Sequence, residues 1–354
     1  MTERALLTDM PYEQLETWVA ELGQASFRAR QLFEWIYCAL VFDFSAMTNL
    51  PAALRERLGE LALVQSVQPL ESLTSADGLT TKTLLQLRDG ETIESVLMRY
   101  EGRQTVCASS QVGCAIGCPF CATGKGGFKR NLSSGEIVEQ VLYFAHELQP
   151  QGKPITNVVL MGMGEPLVNY EAVWQAIRIL NDRRGLRLGA RRFTISTAGL
   201  VSGIRRMAHE DMEVGLAISL HAPSDALRDR LVPLNKRNPI AELMEACREY
   251  VQSTSRRISF EYAMIQGVND APQQARELGQ LLKGLMCHVN LIPLNPTMAC
   301  DYRPSSRGRI MDFRRELNGL GIANTVRLGR GVDIQAGCGQ LRSRHLHELA
   351  AKEP

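Results

Sequence analysis

Four cysteines fall within fifteen residues in the stretch CASSQVGCAIGCPFC, at Cys107, Cys114, Cys118 and Cys121. The last three form C-x3-C-x2-C. Thiolates this close along a chain can surround one soft metal centre. A structural zinc site usually takes a fourth protein ligand. No histidine or cysteine follows at finger spacing, and the next histidine, His146, falls in a helical pattern. Three thiolates suit a four-iron, four-sulfur cluster with one iron left open to chelate a small molecule. A zinc knuckle with a distant fourth ligand, or reduced core thiols, are the alternatives. Cys107 stands apart, upstream of the triplet. Read alone, Cys107 and Cys338 are buried inert thiols, although the GCG setting of Cys338 favours an exposed loop. Cys38, Cys247, Cys287 and Cys300 read as structural.

These residues need elements to position them. Residues 8–60 read as short helices, including DMPYEQLETWVAELG, which ends in Gly23. Residues 61–100 alternate as strands do, with Asp89-Gly90 as a hairpin turn. From about residue 104, strand runs (TVCASSQV, ITNVVLMG, RFTISTAG, EVGLAISLHA, RISFEYAMI, HVNLIPLNP, ANTVRLG) alternate with helical runs. The helix GEIVEQVLYFAHEL opens on a capping box, Ser133 and Glu136. This rhythm predicts an α/β chain with a parallel sheet and right-handed crossovers: a TIM-like barrel, a partial barrel or an open sheet.

In such sheets ligands bind at the carboxyl ends of the strands. The unusual residues fall there: the cysteine loop, Gly162-Met163-Gly164-Glu165-Pro166, Ser196-Thr197-Ala198-Gly199, Ser219-Leu220-His221 and Asn295-Pro296. That convergence predicts one active site on one face. Taken singly, GMGEP is a tight turn, being neither a P-loop nor GxGxxG. His221 taken singly is a hydrogen-bonded strand-end histidine, and Glu94, in GETIESV, a solvent-facing strand residue.

The 354 residues can bury a large core, and 45% hydrophobic with 22% charged residues is ordinary for a soluble protein. Nine cysteines at irregular spacing argue against a secreted disulfide framework. No apolar run approaches a membrane span, and the N-terminal residues lack a signal-peptide profile, so a cytoplasmic location is expected. The net charge of +2 implies no partner by itself. RRGLRLGARR, however, holds five arginines in residues 183–192, and Lys125, Lys129 and Arg130 follow the cysteine loop. RPSSRGR and RSRHLH add charge later. Such loops fit a phosphate footprint, or are simply solvated faces.

C-x3-C-x-aromatic-C, with Phe120 before the last cysteine, resembles the radical S-adenosylmethionine enzymes. The segments FRARQLFEWIY, FSAMTNLP, GETIESVLM, CASSQVGCAIGCPFCATG, GFKRNL, MGMGEPL, STAG, SLHAP, GVND, NLIPLNP and DIQAGCGQL are similar, nearly end to end, to the dual-specificity RNA methyltransferases that methylate carbon 2 of adenine. The related carbon-8 methyltransferases are the nearest alternative; a zinc-bearing RNA-binding module without chemistry is the other. Gly337 departs from the family pattern, where alanine is expected.

The resemblance implies a partial (β/α)6 TIM-like barrel. Its division would be a helical RNA-binding domain (1–60), a strand linker or extension (61–100), the radical core (101–333) and a C-terminal segment (334–354). It implies one [4Fe–4S] cluster on Cys114, Cys118 and Cys121. The cofactor S-adenosylmethionine would be met by Gly164, Glu165, Ser196, Ser219, Leu220, His221 and Asn295, with Phe120 near its adenine. Carbon 2 of adenine is a poor nucleophile, so a radical route makes chemical sense. The family scheme makes Cys338 the methyl acceptor, which then joins carbon 2 after a 5′-deoxyadenosyl radical removes a hydrogen atom from the S-methyl group. Glu94 would take the ring proton, and Cys107 would release the product by forming a disulfide with Cys338. The implied partners are 23S rRNA, tRNA near its anticodon, and a flavodoxin or ferredoxin as reductant. The target adenine must leave its stack to be reached.

Overall fold

The computed structural model describes residues 4–295, 301–327 and 333–334. Three helices come first: α1 (Tyr12–Glu21), α2 (Phe27–Tyr37) and α3 (Ala52–Leu61). Their apolar residues recur at helical spacing and are buried: Leu15 and Val19; Leu32, Phe33 and Ile36; Leu54 and Leu58.

Ten strands then form one sheet among the described residues. They are β1 (Gln68–Thr74), β2 (Thr80–Gln86), β3 (Thr92–Tyr100), β4 (Arg103–Cys107), β5 (Asn157–Leu160), β6 (Phe193–Thr197), β7 (Gly215–Ser219), β8 (Ile258–Met264), β9 (Cys287–Pro293) and β10 (Asn324–Val326). Their spatial order follows the chain, from β1 at one edge to β10 at the other. The pairs from β1 to β4 are antiparallel, and those from β4 to β10 are parallel.

The cysteine loop after β4 carries a one-turn helix, α4 (Ala122–Lys125). Longer crossovers follow: α5 (Ser134–Leu148), α6 (Tyr170–Asn181), α7 (Val201–Met207), α8 (Asp225–Leu231), α9 (Ile240–Thr254), α10 (Pro272–Leu282) and α11 (Arg307–Gly319). Six strand–helix units and a final strand make the partial barrel. Its edges are not paired to each other, so the sheet stays open. Strand alternation divides its residues. Ala217, Ser259, Glu261, Asn290 and Ile292 face an internal cavity. Leu216, Ile218, Phe260, Tyr262, Val289 and Leu291 are buried in the hydrophobic core.

The strands in 61–100 extend the main sheet, β3 pairing with β4 (Val96 with Cys107). One local feature differs from the sequence expectation: the run TVCASSQV is not one strand. It breaks after Cys107, because Ser109 and Ser110 are drawn aside: Gln140 accepts from the Ser109 N–H at 2.7 Å, and the Met163 carbonyl accepts from the Ser110 N–H at 2.8 Å. Gln111–Gly113 then pairs with Phe128–Asn131 instead.

Glu139 of α5 joins the N-terminal helical region to the core. Its carboxylate accepts from the Thr8 hydroxyl (2.7 Å) and from the backbone N–H groups of Ser66 (2.7 Å) and Val67 (2.8 Å). Every partner is a donor, so an amide would turn its NH2 against one of them. Glu139→Gln is expected to lower unfolding free energy by about 2–4 kcal/mol, since hydrogen bonds to a buried charge are each worth ~1.5–3 kcal/mol. Urea denaturation checks this, and an unchanged midpoint would contradict it.

Candidate cluster and cofactor site

The short ribbon of Gln111–Gly113 and Phe128–Asn131 closes the base of the cysteine loop. Cys114 N–H donates to the Gly127 carbonyl at 2.9 Å, and Cys121 N–H to the Cys118 carbonyl at 3.0 Å. Gly113 sits at φ +76°, where a Cβ would overlap the Gly127 oxygen, so the crossing needs glycine. Burial pushes the Cys114 thiol up to about 11, and the Cys118 thiol further still. Cys121 adds to both shifts by charge repulsion, and Cys114 to that of Cys118, so the three thiols form one electrostatic group. The Cys114 sulfur accepts from the N–H groups of Ile116 and Gly117. Ile116, Cys118 and Phe120 pack on Ala222, Ala263, Ile265 and Leu294, which seats the loop over the ends of β7, β8 and β9.

The glycine segment after β5 is laced to the chain that follows Cys107. Gly162 N–H donates to the Ala108 carbonyl (3.1 Å), and Met163 N–H to the Ser109 hydroxyl (2.8 Å). A Cβ on Gly162 would meet Ser109 Oγ at 2.6 Å; one on Gly164, at φ +106°, would meet Gln111 Cβ at 2.6 Å. Both glycines are therefore required by packing. The Glu165 carboxylate is buried and accepts from Ala198 N–H (2.7 Å), Leu167 N–H (3.1 Å) and the Thr197 hydroxyl. It ties the GMGEP loop to the STAG loop. Burial, opposed by these bonds, raises its pKa.

Ser196 and Ser219 face each other across adjacent strands, their hydroxyl oxygens 3.5 Å apart. His221 follows at φ +60°, a left-handed conformation uncommon outside glycine. Its Nδ1 accepts from Ala263 N–H at 3.0 Å, and its ring meets Phe120 edge-on at 5.0 Å. Burial pulls its pKa down to about 3, helped by Arg228. His221 is thus a neutral, structurally bonded histidine that also contacts the cysteine loop. Leu220 is buried, and its N–H donates to the Glu261 carbonyl at 3.1 Å.

A cavity of about 680 Å³ is lined from β3, β4 and across the parallel sheet to β10; it reaches Gly162 and Met163 of the GMGEP loop, while Cys114, Cys118 and Cys121 do not line it. Cys107, Glu94, Gly162 and Asn295 all line it. Glu94 is only 4% exposed, unlike the solvent-facing residue that alternation alone suggests. Its charge raises the Cys107 pKa, so the two groups lie within electrostatic reach. Burial is the larger cause and pushes that thiol up to about 12, against a hydrogen bond from the Met161 backbone and the charge of Arg327. Glu261 and Arg327, which lie in none of the quoted motifs, and Asn290, the first residue of NLIPLNP, line the same cavity. Cys338 lies outside the described residues. Asp333, five positions before it, accepts from Ala76 N–H at 2.6 Å in the turn between β1 and β2.

Comparison with known proteins supplies the family. Residues 109–278 match the Radical SAM superfamily, and residues 6–64 match the ribosomal RNA large subunit methyltransferase N-terminal domain. A probable dual-specificity RNA methyltransferase RlmN of Symbiobacterium thermophilum is 48% identical over 96% of this chain and 92% of its own. That of Chloroflexus aurantiacus is 47% identical over 97% and 94%. This chain belongs to the RlmN family. A radical SAM methyltransferase from Sphaerobacter thermophilus superposes with a TM-score of 0.93 at 51% identity, covering 95% of this chain and 98% of that one.

Membership of the radical SAM superfamily implies a [4Fe–4S] cluster and S-adenosylmethionine. The residues present fit the cluster: three thiols in one partly buried loop, mutually repelling as thiolates. Among the described residues no three His, Cys, Asp or Glu side chains converge as they would on a single ion. A cluster, which takes one thiolate per iron, needs no such convergence. No described helix is long and apolar enough to cross a membrane.

The basic runs are altered by their partners. Lys129 pairs with Glu91 at 2.6 Å, and Arg130 with Asp89 and Glu136 at 2.6 and 2.8 Å. Arg184 pairs with Asp182 and with Glu13 of α1, and lies 3.6 Å over the Tyr12 ring. Arg191 pairs with Glu213. These four cations are largely structural. Among the described residues Lys125, Arg183, Arg187 and Arg192 make no ion pair and remain as phosphate-facing candidates.

Proposed function

We propose that this chain methylates carbon 2 of adenine in 23S rRNA and in tRNA, through a methyl group carried on Cys338. The observation that supports it best is the meeting of Cys107 and Glu94 in one cavity, in a chain that also carries the triplet of Cys114, Cys118 and Cys121. Neither residue belongs to a general radical-enzyme motif, and an RNA-binding module would need neither. The relatives' shared name, dual-specificity RNA methyltransferase, agrees with this reading.

When bound, the cluster and S-adenosylmethionine supply the methyl group and the radical. Cys114, Cys118 and Cys121 hold the cluster, and Gly164, Glu165, Ser196, Ser219, Leu220, His221 and Asn295 border the cofactor. Cys338 accepts the methyl group on its sulfur and carries it to carbon 2. Glu94, held in the cavity wall, takes the proton leaving carbon 2. Cys107 attacks the Cys338 sulfur as a thiolate; the new S–S bond forms as the bond from that sulfur to the product carbon breaks. The electron pair of the broken bond leaves with that carbon, which takes a proton to complete the methyl group. The adduct's odd electron returns to the donor system, and the disulfide is reduced before another turnover. A flavodoxin- or ferredoxin-class donor supplies electrons, and the helical region with Lys125, Arg183, Arg187 and Arg192 takes the RNA backbone.

Glu94→Gln is expected to lower turnover by about 10²–10⁴-fold, the usual worth of a positioned base. Iron and sulfide content should not change; turnover near that of the parent would contradict the assignment. The biological test is nucleoside mass spectrometry of RNA from a strain lacking the gene. Loss of 2-methyladenosine from both 23S rRNA and tRNA is expected, and its persistence in both would sink the proposal.

A further inference from the structure

Arg228, on α8, is the largest fully buried side chain among the described residues, with 0% exposure. Burial pulls its pKa down only to about 10, so it is charged at neutral pH. A buried arginine is ordinarily matched by a carboxylate. This one forms no ion pair among the described residues. Its guanidinium donates instead to neutral oxygens: the carbonyls of Leu220 (3.1 Å), Ser219 (3.3 Å) and Ala198 (2.5 Å), and the Asn235 side chain (2.8 Å). Asn235 in turn donates to Asp225 and Asp229, which keeps those carboxylates one residue away.

The cysteine loop lies against the same helix: Leu227 and Leu231, on either side of Arg228, belong to the apolar cluster in which Cys118 and Phe120 pack. Arg228 also fixes the loops on either side. The Ala198 carbonyl takes Arg228, while the Ala198 N–H is held by Glu165. Gly199, at φ +103°, leaves the room; a Cβ there would lie 3.0 Å from the guanidinium.

A cluster on three thiolates is anionic and becomes more so on reduction, and cluster potentials follow net charge and nearby dipoles. We propose that Arg228 is a positioning residue for reduction: its buried charge, which no described carboxylate contacts directly, favours the one-electron-reduced cluster, while its planar fork holds the Ala198 and Ser219–Leu220 turns against the cofactor. The electron comes from the low-potential donor, and no bond is made or broken at Arg228. This rests on the cluster reading of Cys114, Cys118 and Cys121.

The test separates charge from fork. Arg228→Met removes both, Arg228→Lys keeps the charge, and Arg228→Gln keeps donors without charge. Each protein is reconstituted anaerobically and titrated electrochemically with detection by electron paramagnetic resonance; S-adenosylmethionine affinity is measured at equilibrium. In R228M and R228Q the reduced-to-oxidised ratio at a fixed potential should fall at least about tenfold, a negative shift of ~59 mV for one electron. R228K should stay within about threefold of the parent, yet bind S-adenosylmethionine more weakly. Parental potentials in R228M or R228Q would overturn the proposal. If uncharged variants assemble no cluster, assembly in R228K supports a need for the charge, and failure of R228K as well overturns it. A parent protein that binds no iron and sulfide would instead refute the cluster reading itself.

Discussion

Replacing Cys107 with alanine is expected to stop multiple turnover and to leave RNA covalently attached to the protein. The thiol lines the cavity beside Glu94 and lies outside the loop that would hold the cluster. Its removal deprives only the Met161 N–H of its sulfur acceptor, so iron and sulfide content should match the parent. On the proposed scheme, methyl transfer to Cys338 and bond formation to carbon 2 do not require Cys107. Release does, because cleavage of the bond to the Cys338 sulfur needs an attacking thiolate. Product should fall to background, with at most one RNA trapped per enzyme. Denaturing electrophoresis and mass spectrometry of the peptide bearing Cys338 would show the adduct. Loss of activity without any adduct would contradict the resolving role.

The second large effect belongs to the triplet. Cys118→Ser is expected to abolish stable iron and sulfide binding and to reduce methylation to background. A serine oxygen is a harder and much less acidic donor than a thiolate, and three ligands leave none to spare. Cys247→Ser is the matched control. Cys247 is fully buried on α9 within the hydrophobic core, so the variant should lose some stability but keep the cluster. Iron and sulfide analysis after anaerobic purification distinguishes them. Parental iron in Cys118→Ser, or its loss in Cys247→Ser, would contradict the assignment.

Much of this architecture was legible because strand and helix periods are strong in this chain. Each parallel strand lies within a run of apolar and β-branched residues, and α5 begins at its capping box, with Ser133 as the N-cap. The gathering of GMGEP, STAG and SLH at strand ends followed from the rule that parallel sheets bind ligands there. Four features were not legible, each for a long-range reason. Glu94 alternates like a surface residue, yet it is buried because β3 joins the edge of the parallel sheet and faces its cavity. Lys129 and Arg130 read as phosphate contacts, yet the hairpin at Asp89 and Glu91 reaches across to pair with them. Arg228 lies in SDALRDRL, which has the polarity of a solvated helix; only the packing of α8 beneath the β6 and β7 loops buries it. Glu165 reads as an acceptor for a cofactor ammonium, but its carboxylate is already bonded to the STAG loop, a role no local pattern announces.

The central claim is that the cavity holding Cys107 and Glu94 directs a methyl group to carbon 2 of adenine. Its most direct test uses anaerobically reconstituted protein with S-adenosylmethionine, a low-potential reductant, and separate 23S rRNA-fragment and tRNA substrates. Digested products are then resolved by nucleoside mass spectrometry against 2-methyl and 8-methyl standards. The account predicts 2-methyladenosine from both RNAs; 8-methyladenosine, or unmodified RNA from an enzyme with a full and reducible cluster, would contradict it.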